Sequence, residues 1–357
     1  MIRNTIRTAH LSPAVILLLG ACSSKDNSPA PAAHLKAQGD LVYVTNEDSR
    51  ELTVIDAATD SVVATVQVGT RPRGVKVSPD GHTVYVALSG SPRCPPTMPD
   101  AECAKLQADR SLDGVAVVDV ATLTRMKTLP AGLDPEAFDV SPDGTKLFVS
   151  NEDADSATIV DLTTGRVLAN VKVGNEPEGV TLTPDGKTFW VSGESDHDIT
   201  GIDVATGKLV GRIETRGTRP RSVGFLPDGS RAYVTNEISG DVAVVDMVAQ
   251  KTIRVITLHK GALPMGIAVA SDGSRVYVSN GRGKTVSVID TRTDSVLASV
   301  EVGIRPWGIA LAQGGTKLYT ANGPGNNVTV VDTKTMTVIR TIPAGSLPWG
   351  VAVGPRP

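Results

Sequence analysis

The sequence predicts an all-β chain: a seven-bladed β-propeller of four-stranded antiparallel blades, its ring closed by pairing of N- and C-terminal strands. Three observations carry this reading. A Ser-Pro-Asp-Gly turn or a variant of it recurs with its glycine at Gly81, Gly144, Gly186, Gly229, Gly273 and Gly315, in steps of 42 to 44 residues except for one lengthened step after Gly81. Each period holds four short runs of alternating character, such as GIAVA, RVYVS, TVSVI and SVLASVEV between Gly266 and Val302. That alternation belongs to half-buried strands. The second run carries an aromatic residue in every unit, at Tyr43, Tyr85, Phe148, Trp190, Tyr233, Tyr277 and Tyr319, which sets the blade count at seven.

Along the chain, residues 1–21 come first as an export leader, with Arg3 and Arg7, no acid among the first ten residues, and the short apolar run LSPAVILLLG. That run is too short to span a bilayer. Residues 22–39 are a polar tether rich in Pro and Ala. The propeller occupies 40–357. It enters on a second run, LVYVTN, and ends on a lone first run, GVAVG, from Gly350 to Gly354. The leftover run is expected to complete the first blade and so remove the open sheet edges of an unclosed array. Residues 89–113 are an insertion in the second unit and contain Cys94 and Cys103. No His lies between or beside them, and in an exported chain they are expected to form a local disulfide.

Composition narrows the function. With 3% aromatic and 40% hydrophobic residues, the core must be built from Val, Ile, Ala and Leu. A net charge of -3 lacks the basic footprint of nucleic-acid binding. The run SNGRGKT has Val278 where a phosphate-binding loop needs Gly, and it falls in a hairpin. Neither a Gly-x-Ser-x-Gly elbow nor a His-Glu-x-x-His pair is present, which argues against a serine triad or a zinc hydrolase. NEDADS from Asn151 lacks the Gly and distal Glu of an EF-type calcium loop.

Seven copies of one unit form an internal control. An Asp closes every third run, from Asp56 and Asp119 to Asp203, Asp290 and Asp332, and is read as a turn acceptor. A Pro precedes every first run, and two residues later the chain is always Gly, Ala or Ser. Between them the residue varies: Arg73, Glu136, Glu178, Arg221, Met265, Trp307 and Trp349. One arc is charged and the other apolar and aromatic. Antiparallel order places this ring on the same face as Asn46, Glu47, Asn151, Glu152, Glu194, Asn236, Glu237, Asn280 and Asn322. That face, the propeller mouth, is the expected binding site. His197 and His259 belong to it as solvated loop residues.

The motifs YVTN, FVSN, YVSN and YTAN, together with SPDG and RPRG or RPWG, resemble the YVTN-type seven-bladed β-propeller family from Leu41 to the C-terminus. The insertion resembles one in an exported subgroup, some of whose members accompany pyrroloquinoline-quinone-dependent alcohol oxidation. Leu19, Gly20, Ala21 and Cys22 resemble a bacterial lipobox, which implies lipidation at Cys22. Ser23 after it implies the outer membrane, facing the periplasm. The missing catalytic constellation, the divided ring and this resemblance together lead to the expectation of a monomeric, lipid-anchored scaffold that binds a protein or small molecule at its mouth, accessory to a periplasmic oxidoreductase, without nucleic acid and touching the membrane only through its anchor. An alternative from another class is a lactonase or related hydrolase holding a divalent metal among mouth Glu and Asn oxygens. Calcium enters only under that alternative.

Overall fold

The computed structural model describes residues 1, 39–93, 98–103 and 105–357. The leader, Cys22, the tether up to residue 38, and Cys94 lie outside the described residues, as does the Cys103 side chain. The unit His34–Pro357 contains seven four-stranded sheets, each a blade. Six blades are consecutive in sequence. In the remaining one, the C-terminal strand Pro348–Pro355 pairs antiparallel with Asp40–Asn46, with Leu41 opposite Gly354 and Val44 opposite Val351. Arg356 adds a contact to Asp56 at 2.7 Å across the same closure. We number this blade one and the others from two to seven in chain order. No helix among the described residues is long and apolar enough to cross a membrane.

Each inner strand begins at the recurring proline: Pro72, Pro135, Pro177, Pro220, Pro264, Pro306 and Pro348. A proline suits a strand start because no ladder donor is lost there. Second and third strands are buried on both faces, which explains their continuous Val and Ile content, whereas outer strands such as Thr124–Leu129 are mostly exposed. The apolar clusters lie between blades: Phe148 of blade three meets Phe189 of blade four at 4.6 Å. A lone blade would leave both faces wet, so the ring is the folding unit.

The turn aspartates behave as the repetition implies. Asp203 accepts from the Ala205 and Thr206 amides, Asp290 from Arg292 and Thr293, and Asp332 from Lys334 and Thr335. Those bonds favour the charged form and hold these carboxyls below the usual range. Crowding around the axis is equally direct. A Cβ built on Gly179 would stand 2.2 Å from the Arg221 carbonyl oxygen of the next blade.

Candidate functional site

The mouth is assembled by two devices repeated around the ring. In the first, a hydroxyl near the end of a second strand donates to the backbone carbonyl of the varied residue in the next blade. Thr45 does so to Arg73 at 2.7 Å, Ser192 to Arg221 at 2.8 Å, Thr235 to Met265 at 2.7 Å and Ser279 to Trp307 at 2.6 Å. Ser150 holds Glu178 in the same way. Ala87 and Ala321 stand at this position in the other two blades.

The second device was not legible in advance. The residue before each proline has a left-handed backbone, with φ of 42° at Arg71, 51° at Asp134, 50° at Glu176, 65° at Arg219, 50° at Leu263, 55° at Arg305 and 59° at Leu347. Proline ordinarily drives its predecessor to extended conformations, so these positions are strained. The twist brings Arg71, Asp134, Arg219 and Arg305 to the mouth beside the expected ring.

The result is a cavity of about 610 Å³. Arg73, Glu136, Glu178, Arg221, Trp307 and Trp349 line it, together with Glu47 and Glu152. Met265 faces a smaller recess of about 90 Å³ shared with Glu178, Arg221 and both tryptophans. The insertion forms one wall through Ser91, Arg93, Leu106 and Arg110, and Arg110 pairs with Asp153 of blade three. Glu194 and Glu237 are not in the lining but form ion pairs with Arg219 and Arg221, which are.

Charge is paired on one arc. Arg73 contacts Glu136, reaches Glu152 at 3.4 Å and lies 3.5 Å from Glu47, which also accepts from Arg71 at 2.9 Å. Arg221 binds Glu178 at 2.5 Å, contacts Glu194 and lies 3.7 Å from Glu237; Arg219 pairs with the same two carboxylates, Glu194 and Glu237. Burial pushes Glu178 well above the ordinary carboxylate range, against the pull of Arg221. Burial likewise raises Glu152, with Arg73 opposing. At Glu194 burial is outweighed by its hydrogen bond with Glu178 and the charges of Arg221 and Arg219, which bring it below. On the other arc Trp307 meets Trp349 edge-on at 6.1 Å, and the Arg305 guanidinium lies 4.7 Å from the Trp307 ring centre.

Other expectations are corrected. Asn46, Asn151, Asn236, Asn280 and Asn322 are fully buried and none lines the cavity. Their amides brace the following hairpin: Asn46 to Thr53 at 2.9 Å, Asn151 to Thr158 at 2.7 Å, Asn236 to Asp241 at 2.7 Å, Asn280 to Ser287 at 2.8 Å, Asn322 to Thr329 at 2.8 Å. They are scaffold. His197 and His259 are exposed loop residues, as expected, bound to the Glu194 carbonyl at 3.1 Å and the Thr285 hydroxyl at 2.8 Å and outside the cavity lining.

Asp134, Glu136 and Glu152 bring carboxylate oxygens within 4.8 Å of one another. Arg73 already contacts two of them, so the chain supplies its own cation where calcium would need six or more oxygens. The donor set does not fit the calcium site of the lactonase alternative.

The family model described as lactonase, 7-bladed beta-propeller, matches residues 212–342, and one described as YNCE-like beta-propeller matches residues 100–186. Similar solved structures include hydrazine synthase of Kuenenia stuttgartiensis, at 22% identity over 80% of this chain and 90% of that one, with TM-score 0.68. A proposed 6-phosphogluconolactonase of Bacteroides fragilis is similar at 18% identity over 92% and 100%, with TM-score 0.73. A functionally unknown protein of Desulfotomaculum acetoxidans is similar at 16% over 88% and 98%, with TM-score 0.72. No curated protein matches. At these identities the structural likeness speaks of the fold alone. The chain is a seven-bladed β-propeller, similar over separate parts of its length to the lactonase and YNCE-like propeller families.

Proposed function

We propose that this chain is an exported, lipid-anchored binding propeller whose mouth cavity holds a small molecule. One observation carries the reading: a cavity of about 610 Å³ that opposes an arc of paired charge to an arc of tryptophan. Small-molecule sites typically span about 300–1,000 Å³ and combine apolar walls with a few fixed polar groups. The acidic groups are recessed, with Glu136 at 3% and Glu178 at 6% exposure, below the reach of a flat protein partner. Export and anchoring rest on the leader and Cys22. Native mass spectrometry of the full-length protein tests the site. A small molecule retained by the wild type should be lost from the Trp307→Ala, Trp349→Ala double variant, with the melting temperature little changed. Retention by both proteins would refute the mouth as the site.

The match of residues 212–342 to the lactonase family model favours a second reading, lactone hydrolysis without metal. Glu152, with 29% side-chain exposure, is the raised carboxylate that cavity water reaches. It would take a proton from water attacking the lactone carbonyl, Arg73 would face the oxyanion, and the proton would pass to the ring oxygen as the C–O bond breaks. Proton release from a panel of δ-lactones would reveal it, and turnover should disappear in Glu152→Gln. Absence of turnover across the panel would leave the binding reading alone.

A further inference from the structure

Seven arginines line the mouth cavity, and six stand within 4.0 Å of a carboxylate. Arg305 does not, among the described residues. Its guanidinium lies against the Trp307 ring, and burial together with the nearby Arg282 works against its charge. The indole Nε1 of Trp307 is a buried donor that has no acceptor among the described residues. A partly buried cation that carboxylates reach only at long range, beside an unmet donor, is uncommon in a finished fold.

Three demands therefore converge on one cavity. Arg305 calls for an anionic group, and a planar guanidinium fits the two oxygens of a carboxylate. The faces and edges of Trp307 and Trp349 call for an apolar ring surface. The opposite arc offers donors from Arg73 beside acceptors from Glu152, a mixture that suits hydroxyls, which donate and accept at once. Resting on the small-molecule reading above, we infer that the mouth takes a cyclic sugar acid bearing one carboxylate, with the carboxylate on Arg305. A phosphorylated sugar is disfavoured, because Arg305 is the one cavity arginine outside the ion pairs among the described residues, and the neighbouring Arg282 is exposed and outside the lining.

Three hexopyranoses that share a ring and differ at C6 make the test: glucose, glucuronate and glucose 6-phosphate. Each is titrated calorimetrically into the full-length chain in a sugar-free detergent. Glucuronate should bind most tightly. Arg305→Gln should weaken glucuronate by about tenfold to a hundredfold, the worth of one charge-assisted hydrogen bond, while glucose changes by less than about threefold. Arg305→Lys, which keeps the charge and loses the fork, should fall between. The inference is overturned if glucose 6-phosphate binds as tightly as glucuronate, if Arg305→Gln weakens glucose as much as glucuronate, or if none of the three binds. The retained-species experiment on the tryptophan variant is independent of these outcomes, so the two readings fail separately.

Discussion

Asp60 fastens blade one to blade seven, and replacing it with Gly should loosen that junction measurably. Its carboxylate accepts Lys317 Nζ at 2.7 Å and the hydroxyl of Tyr319, which is fully buried. The backbone at Asp60 is left-handed, with φ of 51°, and blades three and four carry Gly165 and Gly207 at the same place, so glycine introduces no strain. What goes is a nearly buried carboxylate, leaving an ammonium and a phenol without it. Breaking a buried ion pair costs about 3–5 kcal/mol. Lys317 keeps 17% side-chain exposure, so water partly compensates and the lower end, about 3 kcal/mol, is expected. At about 2–4 °C per kcal/mol for a domain of some 150–250 residues, with larger domains shifting less, the melting temperature should fall by about 5–10 °C. Thermal melts followed by circular dichroism provide the measurement. In a double-mutant cycle Lys317→Met should add little once Asp60 is gone. A melting temperature within 2 °C of the wild type, or strict additivity with Lys317→Met, would refute the reasoning.

The same fastening is missing between blades six and seven, where Met336 occupies that left-handed turn position, φ 57°, while Arg275 reaches the neighbouring Thr333 carbonyl at 3.0 Å. Met336→Asp should raise the melting temperature by giving Arg275 and Tyr277 a carboxylate, and a lowered value would show that the Met packing matters more. Deleting residues 350–357 removes most of the strand paired with Asp40–Asn46 and should abolish cooperative melting of the whole ring, whereas a truncated chain that melts like the intact one would disprove the closure's weight. Burial raises Asp198 from 3.8 to about 6, over the opposition of Arg212. Its folded pKa exceeds the unfolded value, so its contribution is fully present below pH 4 and is lost as pH rises through 6. Asp198→Asn should therefore stabilise the protein at pH 7.5 relative to wild type and shrink the difference at pH 4. Equal effects at both values would contradict that sign.

The blade count, the closing strand and the scaffold aspartates were legible because they follow from comparing seven copies of one unit. A Pro, a small residue and an Asp persist wherever the ring itself demands them. The varied residue between Pro and the small position was visible by the same comparison, and Arg73, Glu136, Glu178, Arg221, Trp307 and Trp349 do converge on one cavity. Arg71, Asp134 and Arg305 escaped. They vary just as much, but proline ordinarily imposes an extended backbone on its predecessor, and only the left-handed φ seen here turns these side chains to the mouth. The asparagines misled for the opposite reason. Their recurrence at the end of the second strand in five of seven units was itself the mark of a scaffold part, as the hairpin bonds from Asn46 to Asn322 show.

The hydroxyl contacts from Thr45, Ser150, Ser192, Thr235 and Ser279 carry a consequence for how such a site changes over generations. At these five joints one blade grips its neighbour by a peptide oxygen, which every amino acid possesses. The side chain on the gripped residue takes no part in that joint. Arginine, glutamate, methionine and tryptophan are all held in the same manner, so a change at Met265 or Trp307 can rewrite the mouth without loosening that bond, whereas Arg73, Glu178 and Arg221 also pair across blades. At Glu136 and Trp349, where Ala87 and Ala321 offer no hydroxyl, the carbonyl lacks this grip and the peptide is held from its other side, by the Ala137 and Gly350 amides donating to Ser150 and Thr45 of their own blades.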